Sequence, residues 1–254
     1  MIFERIRQAY PLLTKSHQRV ADYLAVSYRE VAFLTASQLA ERLGMNEATV
    51  IRFAQRIGYR GYPEMMADIT HIVREELSLG ARPAPEEEML GRHVWLEMER
   101  AQRVLRHLPK DLPALWEKVC EARRIYALGQ GISAGLAQWF AYGLRCLRLP
   151  VESLWADSLS LRLILSELNE GCAVFAITLD PESGEMAYFL QRAREQGAWT
   201  LAFVSTATSA CALAAEEVIL CGEEGTPSFG AAMLVLEAIL QGIRREMIQS
   251  AALP

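Results

Sequence analysis

Of the 254 residues, only four are histidine and five are cysteine, and both are spread thinly. The histidines (His17, His71, His93 and His107) form no cluster, and none lies beyond residue 107. The cysteines stand at 120, 146, 172, 211 and 221, never closer than ten residues, so Cys-x-x-Cys metal and redox motifs are excluded. An odd number of well-separated thiols reads as reduced and buried, the pattern of a cytoplasmic protein. No zinc set of neighbouring His, Cys and carboxylate ligands can be assembled, so no metal and no cofactor is expected. The chain also lacks a long uncharged apolar run. The stretches Ile132–Leu144 and Cys172–Leu179 fall short of the ~18 apolar residues of a membrane span. Glu4 interrupts the opening Met-Ile-Phe-Glu-Arg-Ile-Arg, which does not read as a signal peptide. With 16 glycines and 10 prolines, low-complexity and collagen-like chains are ruled out.

Apolar residues are plentiful, at 52%, and charge is uneven. Residues 1–77 hold ten basic and nine acidic side chains, a net of +1; residues 78–254 hold sixteen and twenty-two, a net of −6. An acidic whole does not exclude DNA binding, because only the docking face must be basic. Between the halves, Ser78-Leu-Gly-Ala-Arg-Pro-Ala-Pro-Glu-Glu-Glu88 breaks every apolar period and reads as a connection. The expected organisation is therefore a domain over 1–77, a linker over 78–91 and a second domain over 92–254.

The first domain reads as all helix. Leu12, Leu13, Val20, Ala21 and Leu24 recur at helical spacing, and Thr14 or Ser16 suits the start of a helix. Residues 35–57 have the spacing of a helix-turn-helix. Ala40 is small where the second helix crosses the first, Gly44 suits a turn with positive φ, and Val50 faces back. Leu39, Leu43, Phe53 and Ile57 complete a small core. Asn46 suits the N-cap of the second helix, which presents Glu47, Thr49, Arg52, Gln55 and Arg56 outward. Such a helix lies in the major groove of double-stranded DNA. Arg52 can pair with guanine, Thr49 can meet a thymine methyl or a phosphate, and Arg56 and Arg60 lie toward the backbone.

The second domain alternates short apolar runs with helical segments. Strands are expected at Arg124–Leu128, Val151–Trp155, Ala173–Thr178, Thr200–Val204 and Glu217–Leu220. Helices are expected at Ala134–Leu147, Leu159–Leu168 and Glu185–Gln196, with a last helix from Phe229 to Met247. That alternation means parallel βαβ units, so the predicted fold is α + α/β: an all-helical domain and then a doubly wound parallel sheet. Gly129-Gln130-Gly131-Ile-Ser133 joins the first strand to its helix, where backbone N–H groups suit an anion. A dinucleotide fit is poor, because the third glycine of Gly-x-Gly-x-x-Gly is missing. Ser133, Thr178, Asp180 and Ser205 all fall at carboxyl ends of strands, where open α/β sheets bind ligands.

Ala48-Thr-Val-Ile-Arg-Phe53 followed by Ile57-Gly-Tyr-Arg-Gly-Tyr62, with Leu13–Leu24 upstream, resembles the N-terminal domain of the RpiR family of bacterial transcriptional regulators. Ile125–Ser133, Ala193–Ser205 and Ala210–Leu220 resemble the sugar isomerase (SIS) domain that follows it in that family. The resemblance implies a regulator that binds operator DNA as a homodimer or higher homo-oligomer and senses a small effector, such as a sugar phosphate. It implies ligand contacts from Gly129, Gln130, Gly131, Ser133, Thr178, Asp180, Ser183, Ser205 and Thr206. One departure stands out. Where the family carries Ser-x-Ser-Gly-x-Thr, this chain has Thr178-Leu-Asp-Pro-Glu-Ser183. Proline donates no N–H, and Asp180 and Glu182 repel a phosphate dianion.

Three readings of the second domain stand: a weak phosphosugar site, a site for another ligand, or a dimerisation scaffold alone. An isomerase needs a general acid and base, usually Glu or His. With no histidine in reach and only the loop acids Glu223 and Glu224 on offer, no catalytic residue is assigned. The apolar residues of the last helix (Ala231, Ala232, Leu234, Val235, Ala238, Ile239, Ile243) point to packing or dimerisation.

Overall fold

The computed structural model describes residues 2–79, 89–106, 108, 112–179, 184–223 and 226–251. Two units divide the chain, one built on Met1–Glu99 and the other on Arg100–Ser205, Ser209–Gly222 and Pro227–Pro254.

The first unit is helical throughout its described residues: α1 (Ile2–Ala9), α2 (Lys15–Val31), α3 (Ala36–Arg42), α4 (Glu47–Arg56) and α5 (Tyr62–Leu79). Local chemistry sets the boundaries. The Thr14 side chain caps α2, accepting from the His17 N–H, and Pro11 opens a tight 3-10 turn before it. Thr35 and Gln38 form a reciprocal capping box on α3. Ile6, Val20, Leu24, Leu39, Val50, Phe53, Met65 and Ile69 are buried together in one core.

After α6 (Met89–Arg106), the second unit comprises α7 (Leu112–Glu121), β1 (Arg124–Gly129), α8 (Ser133–Cys146), β2 (Val151–Trp155), α9 (Ser158–Leu165) and β3 (Cys172–Thr178). It continues through α10 (Gly184–Glu195), β4 (Trp199–Val204), α11 (Ala210–Ala214), β5 (Glu217–Leu220) and α12 (Phe229–Ala251). The strands form one parallel sheet in the order β2-β1-β3-β4-β5. Alternate residues serve two cores. Ile125, Ala127, Phe175, Ile177, Leu201 and Phe203 pack with α7, α8 and α12. Tyr126, Leu128, Val174, Ala176, Ala202 and Val204 pack with α9, α10 and α11. Burial on both faces is why β3 and β4 are apolar except for the buried Thr178 and Thr200.

The expected strands are all present, with ends moved by a residue or two. Two helices differ more. The stretch expected to be helical to Leu168 stops at Leu165, where a turn pairs the Glu167 N–H with the Ile164 carbonyl. The last helix runs on to Ala251. Of the expected stripe, Ala231, Ala232, Val235, Ile239 and Ile243 are buried inside the unit, while Leu234 and Ala238 are exposed. None of the described helices is long and apolar enough to cross a membrane.

Candidate functional site

In the helical unit, α3, a turn and α4 make a helix-turn-helix. Gly44 adopts φ +61° in the turn, and the Met45 N–H returns to the Ala40 carbonyl at 2.9 Å. The Asn46 side chain accepts from the Ala48 N–H at 2.8 Å and so caps α4. Its carboxamide oxygen is therefore engaged in holding the helix start. Val50, Phe53 and Ala54 face the core. Glu47, Arg52, Gln55 and Arg56 are exposed and Thr49 is half-buried, which gathers five of the expected DNA-contact residues along one side of α4. Arg60 lies beyond the helix and is exposed; its N–H is held by the Glu64 carboxylate at 2.5 Å.

Three basic residues that spacing does not single out surround this helix. Arg19 donates to the Leu43 carbonyl at 2.6 Å and braces the turn. Arg5 donates to the Gly58 carbonyl at 2.6 Å and lies 4.4 Å from the centre of the Tyr59 ring. The His17 ring meets the Phe53 ring edge-on, with centroids 6.0 Å apart. Burial holds the His17 pKa below the ordinary histidine value, and the charges of Arg52 and then Arg56 add to that effect. Arg56 also reaches the Leu12 carbonyl at 3.5 Å.

In the α/β unit the carboxyl ends of the strands carry the other group of expected contacts. The order 2-1-3-4-5 reverses between β1 and β3, and ligands of open α/β sheets sit at such a switch point. The Gly129–Ser133 loop lies there and is tied to both flanking strands. The Ala156 N–H donates to the Gly129 carbonyl at 3.0 Å, and the Gln130 carboxamide donates to the Ala156 carbonyl at 2.7 Å. The Leu179 N–H donates to the Ser133 hydroxyl at 3.3 Å. Gly131 has φ +53° and is exposed, as is Ile132.

Two expected hydroxyls are placed differently from the expectation. Ser133 is fully buried with its oxygen on Leu179, and Thr178 is buried and donates to the Phe203 carbonyl at 3.3 Å. Both belong to the wall of the crevice. Ser205 is half-buried after β4, and the Thr206 hydroxyl accepts from the Thr208 N–H at 3.3 Å. Asp180, Pro181, Glu182 and Ser183, the departure from the family pattern, lie outside the described residues, as does Glu224. Asp157, at the end of the second strand, is an N-cap. It accepts from the Leu159 and Ser160 N–H groups at 2.9 Å each, and the bonds from Ser160 lower its pKa most.

Residues 1–73 match the profile of the helix-turn-helix domain of the rpiR family. An HTH-type transcriptional regulator of Providencia stuartii is 27% identical over 195 residues, covering 73% of this chain and 68% of the relative. Among solved structures, NanR of Vibrio vulnificus, complexed with ManNAc-6P, is similar with a TM-score of 0.59 at 18% identity, over 98% of this chain and 93% of that one. The sugar isomerase domain of an RpiR transcription factor from Sphaerobacter thermophilus gives 0.57 at 21% identity, over 63% of this chain and 92% of that one.

The first unit thus carries a helix-turn-helix domain, and the second shares the fold of the sugar isomerase domain solved from Sphaerobacter thermophilus. Over residues 1–73 the chain matches the rpiR family's helix-turn-helix domain, and its relatives by sequence are HTH-type transcriptional regulators.

Proposed function

We propose that this regulator binds double-stranded operator DNA through α4 as a cytoplasmic homodimer. Its α/β unit would hold a small metabolite, a sugar phosphate or a related compound, at the β1/β3 switch point. The observation that carries the first part is the capped, core-anchored α4, whose exposed side presents Arg52, Gln55 and Arg56 together. Arg52 is assigned to a base edge, Thr49 and Gln55 to the groove, and Arg56 and Arg60 to phosphates. Glu47 is suited to accept from a cytosine amino group, and Asn46 acts by fixing the helix start.

The second part is supported by the tethered Gly129–Ser133 loop, with Gly131 exposed at the switch point. The structural relative crystallised with a phosphorylated amino sugar supports it as well. Backbone N–H groups of residues 130–132 are the donors offered to an anion, with Ser205 and Thr206 at the end of β4 as further contacts. The reading of this unit as one that binds rather than catalyses is supported by the relatives by sequence, which are named transcriptional regulators. A second reading, in which the unit only joins two copies, draws support from the engagement of Ser133 and Thr178 within the wall.

One experiment tests both parts: a gel-shift titration with the selected operator at fixed salt, with and without a panel of hexose, pentose and N-acetylated amino-sugar phosphates. Arg52→Ala weakens specific binding by ~1–3 kcal/mol while leaving non-specific binding nearly intact. At least one sugar phosphate shifts the wild-type affinity. Equal operator affinity of wild type and Arg52→Ala removes Arg52 as a base reader. No shift with any of the sugar phosphates removes the phosphosugar reading and leaves a different ligand or the scaffold.

A further inference from the structure

Beside α4, three basic side chains converge from two segments far apart in sequence. His17 comes from the first turn of α2, and Arg52 and Arg56 from the exposed side of α4. The His17 ring is fixed by its edge-on contact with Phe53, yet remains partly exposed. Arg52 and Arg56 are both exposed, and among the described residues neither is paired with a carboxylate. The other charges around His17 are occupied or basic. On α2, Lys15 is exposed and Arg19 donates to the Leu43 carbonyl. On α5, Asp68 accepts from the Tyr59 hydroxyl and Glu64 from the Arg60 N–H. On α4 itself the exposed acid is Glu47 in the first turn, and it makes no ion pair with Arg52 or Arg56 among the described residues, so these cations are open to an anion.

We propose that His17 and Arg56 together grip a backbone phosphate of duplex DNA, beside the base-reading Arg52, and that His17 takes up a proton as the phosphate arrives. The proposal rests on the reading of α4 as the DNA-contacting helix. In the free protein, burial and then the two guanidinium charges disfavour the imidazolium. A phosphate seated between His17 and Arg56 brings a negative charge against the ring and opposes that effect. The proton bound on association makes affinity rise as pH falls. A fixed arginine contributes the same attraction at every pH, so the histidine alone makes the grip proton-dependent.

The test uses the full chain and a random-sequence 30-base-pair duplex, which removes operator choice from the result. Between pH 8 and pH 6 the wild-type affinity rises about fivefold at constant ionic strength, and His17→Gln flattens that rise. His17→Arg binds at pH 8 about as tightly as the wild type does at pH 6, with a steeper dependence on salt. Because His17 packs on Phe53, a second measurement needs no variant: the NMR titration of the wild-type His17 ring, which shows a higher pKa with the duplex than without it. An equal pH slope in wild type and His17→Gln, or an unmoved His17 pKa on the duplex, overturns the proposal while leaving DNA binding in place. Failure of the wild type to bind the duplex at any pH overturns it together with the reading of α4.

Discussion

At Gly129 the reason for a glycine is packing. A Cβ there would stand 2.5 Å from the Ser133 carbonyl oxygen and 2.7 Å from the Ala134 nitrogen. Both are backbone atoms of the first turn of α8, so no side chain can swing aside. The residue sets how closely the helix approaches the strand end, and so where the N–H groups of the loop point. Gly129→Ala is expected to destabilise the α/β unit by ~1–3 kcal/mol, the range for overpacking a close contact, and to show as a lower urea midpoint. A midpoint unchanged from wild type would mean that the first turn of α8 moves freely. Gly44 is a different case. Nothing lies within 4 Å of a Cβ built there, and its φ of +61° is what calls for glycine. The sequence pattern identified both residues, but it could not separate the glycine required by packing from the one required by backbone conformation.

Among the helices of the first unit, three tyrosine hydroxyls link elements. Tyr10 donates to Asp22 on α2 at 2.8 Å, Tyr59 donates to Asp68 on α5, and Tyr62, at the start of α5, donates to the Leu34 carbonyl at 2.8 Å. Burial, and then the Asp22 bond and charge, push Tyr10 up to about 12; burial alone pushes Tyr62 up to about 12. Burial and Asp68 push Tyr59 higher still. The folded unit thus holds these protons more tightly than the unfolded chain, whose tyrosines titrate near the ordinary value of about 10. Above that value the unfolded state binds fewer protons than the native state, so stability falls as pH rises. Their contribution is complete below pH about 10 and is lost on the way through about 12. Helical circular dichroism followed on heating should therefore show a melting temperature that drops steeply above pH 10. A melting temperature flat to pH 12 would show that the hydroxyls add nothing to the packing of these helices.

On the scale of the whole molecule, the remaining apolar surface of the α/β unit bears on association. Trp155 closes the edge strand β2 and is 58% exposed; Leu159 and Leu163, one turn apart on α9, are 69% and 62% exposed. Such a strip is unusual on a monomer. Most of the α12 stripe is buried inside the unit, and we propose this strip on β2 and α9 as the face that meets a second copy. Two recognition helices in a symmetric pair would then read a two-fold symmetric site. Light scattering at micromolar concentration is expected to give twice the chain mass of 28.4 kDa, and Leu159→Glu with Leu163→Glu is expected to return it to 28.4 kDa. Both positions are exposed, so the charges do not disturb the core. A wild type that stays at 28.4 kDa with and without DNA would refute the dimer, and a double variant that stays dimeric would move the interface elsewhere.

The elements of this protein were determined by the sequence alone, because the forces that make them are local or periodic. A strand buried on both faces is apolar at nearly every position, with one threonine in each case, which is how Cys172–Thr178 and Trp199–Val204 announce themselves. The Asn46 cap acts over two residues and Gly44 within its own turn, so the helix-turn-helix was legible at the same level. Side-chain roles at the two sites were decided only by tertiary structure. Ser133 is engaged by an N–H 46 positions away and Thr178 by a carbonyl 25 positions away, so their burial follows from how strands and helices dock. His17 joins Arg52 and Arg56 because α2 packs on α4, a contact across 35 residues that no spacing rule encodes. A pattern can say which side of an element is buried, but which groups meet depends on the packing of elements whose separation along the chain is arbitrary.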